Sequence, residues 1–87
     1  MAYTRTPTSD LIRRLGQALY GEHFDADLAN ALGIAKRSVR HWRNGENEPQ
    51  PGVWGELAEL VAERRETLAG LAEELAQRVA AEPESVK

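Results

Sequence analysis

The chain contains no cysteine. That absence excludes disulfides, thiolate metal sites and cysteine nucleophiles together. Histidine is scarce too: His23 and His41 are the only two. They stand far apart, no carboxylate pattern groups them, and no metal site is expected. No apolar run approaches the ~20 residues that span a membrane. No basic-then-apolar leader opens the sequence, so the cytoplasm is the default compartment. No nucleophile–base pair or carboxylate pair stands out, which argues against an enzyme. Neither a cofactor nor a small-molecule ligand is indicated. What is present is 87 residues, 41% apolar and 29% charged. Those are ordinary values for a soluble helical domain with one modest core.

Excess positive charge is also lacking, since the net charge is −3. The distribution matters more than the total. Residues 36–45 carry Lys36, Arg37, Arg40 and Arg43 and no acid, a local +4. Residues 46–87 carry ten Glu against Arg64, Arg65, Arg78 and Lys87, a local −6. Residues 22–35 add Glu22, Asp25 and Asp27, and residues 1–21 sum to +2. A basic patch on an acidic body is an electrostatic footprint that can orient a molecule on a polyanion.

Residues 1–7 have no periodicity and read as a flexible N-terminal arm, from which Arg5 could reach a groove or a phosphate. A first helix is predicted from Thr8 or Ser9, either of which can cap it, to Tyr20. Leu11, Ile12, Leu15 and Leu19 form its stripe. Gly16 weakens its middle and Gly21 is a natural stop. A second helix starts at Asp25, read as an N-cap, and ends at Gly33, with Leu28, Ala29 and Leu32 buried. Ala29 is small enough for a close helix crossing, and Gly33 can take a positive φ.

A third helix is predicted from Lys36 to Arg43. At about 100° per residue, Ala35, Val39 and Trp42 share one side. Arg37, Arg40, His41 and Asn44 share the other, with Lys36 and Arg43 on a flank. Trp42 lies with Val39 and is assigned to the core, not to a stacking platform. Residues 45–52 are a polar, Pro-rich loop, and Pro51 suits a first helical turn. From Val53 to Ala80 the chain is helical throughout. Val53, Trp54, Leu57, Leu60 and Val61 form one stripe. Leu68, Leu71, Ala72, Leu75 and Val79 form a second. Between them residues 63–67 are polar all round, so one long helix or two are both possible. No proline lies there, which favours one. Residues 82–87 are expected to be disordered.

The stretch from Asp25 to Asn44, DADLANALGIAKRSVRHWRN, resembles the helix-turn-helix of phage repressors and the wider Xre-like family. Leu28, Leu32, Ile34, Val39 and Trp42 fall where that family packs its helix pair. Ala29 falls on its small residue and Gly33 on its turn glycine. The following NGENEPQPGVWGELAEL looks like the family's loop and fourth helix, so the resemblance covers Leu11 to Val61. There are two departures. Asp25 stands where the family often has a phosphate-touching Gln. Ala35 stands where Ser or Thr often opens the recognition helix, a missing cap worth roughly 1 kcal/mol.

The fold this implies is all-α. It is a small four- to five-helix repressor-like domain, with the helix-turn-helix in residues 8–62 and a C-terminal helical arm over 63–81. The implied function is sequence-specific binding of double-stranded DNA, as a bacterial or phage transcriptional repressor. Arg37, Arg40, His41 and Asn44 are the expected base readers, because Arg, above all, can grip guanine O6 and N7 together. Protonation of His41 would make binding pH-sensitive between about pH 5 and 8. Lys36, Ser38 and Arg43 are the expected phosphate contacts, which position without specifying.

One recognition helix binds weakly, and such proteins usually dimerise on a palindromic operator. The Leu68, Leu71, Ala72, Leu75, Val79 stripe is the expected homodimer interface. The opposing expectation is that it folds back as a fifth core helix. The arrangement is similar to antitoxin and anti-CRISPR-associated autorepressor families. With no sensor segment visible, constitutive repression at a promoter is the expected mode. The alternative is an antitoxin or protein-interaction adaptor whose helix-turn-helix does not bind DNA, which net acidity, Asp25 and Ala35 would suit.

Overall fold

The computed structural model describes residues 5–81. Among them it has four helices and no strand: α1 (Pro7–Tyr20), α2 (Asp25–Leu32), α3 (Lys36–Arg43) and α4 (Pro51–Ala81). The chain is therefore all-α. The predicted tail over 82–87 and the first four residues of the predicted arm lie outside the described residues.

The rest of that arm is ordered differently from expectation. Thr6, not Thr8 or Ser9, caps α1. Its Oγ1 accepts from the Ser9 N–H at 3.0 Å, and Ser9 Oγ accepts from the Thr6 N–H at 2.8 Å. This reciprocal box satisfies two of the amides that every helix start leaves over. Pro7 follows at the first helical position, where a missing N–H costs nothing. Arg5 turns back onto Asp10 at 3.0 Å.

α2 and α3 form a compact pair. Gly33 adopts the left-handed conformation, φ 71° and ψ 34°. Its N–H donates to Asn30 O at 3.2 Å, and the Ile34 N–H donates to Ala29 O at 3.0 Å. That is the Schellman arrangement, which pairs the last carbonyls of a helix while reversing the chain. It recurs at the end of α3. Gly45, φ 79°, donates to Trp42 O at 3.1 Å, and Glu46 donates to His41 O at 2.9 Å. Both ends of the basic helix are thus set by glycine-dependent turns.

The core consists of Ile12 from α1, Phe24, Leu28 and Ala29 from the α2 region, Val39 and Trp42 from α3, and Leu57 from α4. Each large side chain buried there contributes about 1.5–3 kcal/mol. Leu15, Leu32, Ile34, Val53, Trp54 and Leu60 pack around it. Leu11, expected in the α1 stripe, is instead exposed. Phe24 is the core residue with no periodic signal. Its ring lies on Gly16, where a Cβ would collide with it. Gly16 is therefore a contact site rather than a weak point.

α4 is one unbroken helix of 31 residues, about 46 Å long at 1.5 Å per residue. It continues through residue 63, and no fifth core helix forms among the described residues. Only Leu57 of α4 is buried. Residues 63–67 are exposed except Arg64, which leans back onto α1. Its guanidinium donates to Leu19 O at 2.6 Å and lies 5.5 Å from the Tyr20 ring centre. α1 has no basic residue in its own last turn. Arg64 supplies that cation from another helix and holds α4 against α1. Beyond Leu68, α4 is exposed along its length to Ala81.

Candidate nucleic-acid interface

α3 is seated by Val39 and Trp42, 0% and 7% exposed. The helical period then decides what faces outward. Lys36, Arg37 and Arg40 are exposed, and His41 and Asn44 are half-buried beside them. Among the described residues, Lys36, Arg37 and Arg40 make no ion pair. Three free cations therefore sit within about two turns of one helix.

The other predicted contacts are placed less simply. Arg43 faces α2, where its Nε and Nη2 donate to the two Asp25 carboxylate oxygens at 3.0 and 2.8 Å. Asp25 is not the N-cap of α2. That position belongs to Phe24, without a side-chain bond. An acid read as a departure from the family pattern is a structural partner of the recognition-helix candidate. Arg43's charge is thereby offset locally. Lys36 and Arg43 line a pocket with Glu22, His23 and Asp25. Ser38 lies on the opposite flank, half-buried, in a groove with Ile34, Trp42 and Val53.

His41 is held from the loop. Its Nε2 stands 3.6 Å from the Glu46 carboxylate, and its Nδ1 stands 3.4 Å from Asn47 Nδ2. Asn44 is the C-cap of α3. Ala35, grouped with the buried side by periodicity, is exposed because it precedes the helix as its N-cap, with no side-chain capping bond. The loop is tied to the domain by Thr8, whose hydroxyl donates to Glu48 at 2.9 Å.

Among the described residues no group of three or more His, Cys, Asp or Glu could hold a metal ion. No helix among them is long and apolar enough to cross a membrane. The face can offer donors and positive charge to a ligand rich in acceptors. Sequence periodicity put Arg37, Arg40, His41 and Asn44 on this face with Lys36 and Arg43 on a flank, and of these Lys36, Arg37 and Arg40 are exposed. It did not identify Asp25 as the partner of Arg43, because the two are 18 positions apart and carry no shared pattern. No family model matches the chain, and neither a curated protein nor a solved structure matches it.

Proposed function

We propose that the chain binds double-stranded DNA through α3 and represses transcription as a homodimer, in the manner of the helix-turn-helix family its central stretch resembles. The observation that carries this reading is the division of α3. Val39 and Trp42 anchor one side, while Lys36, Arg37 and Arg40 stand exposed on the other. A major groove about 12 Å wide accepts a helix presented this way. Arg37 and Arg40 read base edges, Asn44 supports them, and Lys36 meets a phosphate. His41 acts at the edge of the contact, because Glu46 competes for it. Arg43 orients α3 through Asp25 before it can serve a phosphate.

A salt-titrated binding assay on mixed-sequence DNA tests the reading. Binding at low salt should weaken steeply as salt rises, with a slope set by the phosphates neutralised. Selection from a random DNA pool should then return a two-fold symmetric site. No binding at low salt, or no salt dependence, would leave the DNA reading without support. The competing reading is a protein-interaction adaptor or antitoxin. It is favoured by the two acids set against Arg43 and His41, and it predicts the negative result.

A further inference from the structure

The described part of the chain exposes six large apolar side chains, from Leu11 at 39% to Val79 at 70%. They are not scattered. Leu11, Val61 and Leu68 line one groove between α1 and α4, of about 500 Å³. Leu71, Leu75 and Val79 continue along the free end of α4. Leu57 and Leu75 are about five helical turns apart, so they project from the same face. The face that seats α4 on the domain therefore runs on, uncovered, past the domain's edge. Exposed contiguous apolar surface of this kind marks an interaction site.

We propose that the groove between α1 and α4 receives the free end of α4 from a second copy of this chain, with the two α4 helices antiparallel. Symmetry makes the fit economical. A two-fold axis near Leu68 and Leu71 places the end of each helix that bears Leu75 and Val79 in the other copy's groove. Both patches are then used twice, and the contact closes on itself. All six exposed apolar residues leave water together.

The charges agree with that occupant. The groove is lined by Arg14, Arg64 and Arg65 and by no acid. The free segment, residues 69–81, carries Glu73 and Glu74 against Arg78 alone. An antiparallel pair brings this acidic end to the arginines. A parallel pair would set like against like and leave both grooves open.

The proposal rests on the homodimer reading above and adds where each arm docks. The lack of cysteine makes a direct test possible. Full-length Val61→Cys and Val79→Cys, both at exposed positions, are mixed and treated with a short thiol-specific linker. The unmodified chain is followed by sedimentation. The expected result is a dimer, and a linked product joining one variant to the other in at least fivefold excess over self-linked products. Predominant self-linking, Val79→Cys to itself, overturns the groove assignment while the dimer stands. A dimer that links in neither way overturns it as well. A monomer at tens of micromolar overturns both the groove occupant and the homodimer, and points to a different protein as partner. The linking is read without DNA, so loss of DNA binding with the cross-link intact would remove the DNA reading alone.

Discussion

Asp25, the first residue of α2, holds the side chain of Arg43, the last residue of α3, by two parallel hydrogen bonds of 3.0 and 2.8 Å. The fork-to-carboxylate geometry is the strong form of an ion pair, because both bonds are charge-assisted and direction is fixed. Only 15% of the Asp25 side chain and 29% of the Arg43 side chain are exposed. The pair closes the open end of the α2–α3 joint, opposite the turn made by Gly33. It ties the last residue of α3 to the first residue of α2.

Removing either partner should therefore loosen the joint. Asp25→Ala or Arg43→Ala alone is expected to cost about 1.5–3 kcal/mol, the range for hydrogen bonds to charged groups. In a double-mutant cycle followed by urea unfolding, the pair should show a coupling of at least about 0.5 kcal/mol. A coupling of zero would mean the contact is idle. Asp25→Ala also releases a cation, so its binding to mixed DNA at low salt should be no weaker than that of the unmodified chain, despite the lower stability.

Gly16 and Gly55 make a matched pair within helices. A Cβ at Gly16 meets the Phe24 ring, whereas at Gly55 nothing lies within 4 Å. Gly16→Ala is expected to destabilise by about 1–3 kcal/mol, the usual cost of overpacking, even after its better helix propensity is included. Gly55→Ala should stabilise by up to about 1 kcal/mol. Thermal unfolding of the two variants checks the signs. If both rise together, the Phe24 contact does not constrain the fold.

Those two glycines show where reading the chain stops. All four helices follow from local stripes and stops: Ile12 with Leu19, Leu28 with Leu32, Val39 with Trp42, and Val53 onward to Val79. The bounds predicted for α3 are those observed, because Gly33 and Gly45 bracket it. Phe24 lies between helices, so it leaves no periodic trace, and its partner Gly16 read as a flaw. The cap of α1 falls on Thr6 because the box depends on Ser9 reaching backward, which Thr8 and Ser9 as alternative caps obscure. On the candidate site, the exposed cations were legible from the helical period. What neutralises Arg43 was not, since Asp25 belongs to another element.

Arg64 and Arg65 are neighbours in sequence with different surroundings. Arg64 donates to Leu19 O and lies over Tyr20, whereas Arg65 is exposed. Arg64→Met should lower stability by about 1.5–3 kcal/mol, through loss of a charged hydrogen bond to the last turn of α1. At concentrations too low for two copies to pair, Arg65→Met should stay within about 0.5 kcal/mol, as surface substitutions do. Equal effects in urea unfolding would show that Arg64 does not hold α4 against α1.

The exposed cations of α3 differ in what they are expected to touch, and a pair of variants separates them. Arg40 points out from the middle of the helix, while Lys36 stands at its first turn on the flank toward α2. If Arg40 grips a guanine edge, Arg40→Ala loses about 1–3 kcal/mol at one base position per half-site. Preference there relaxes, and other sequences are bound nearly as before. If Lys36 meets a phosphate, Lys36→Ala weakens binding to every sequence about equally. The slope of log K against log salt then falls by about 0.9 for each phosphate that is no longer neutralised. Both are read from titrations of selected and scrambled sites at several salt concentrations. Identical behaviour of the two variants would refute the division between base and phosphate contacts, although α3 could still be the binding element.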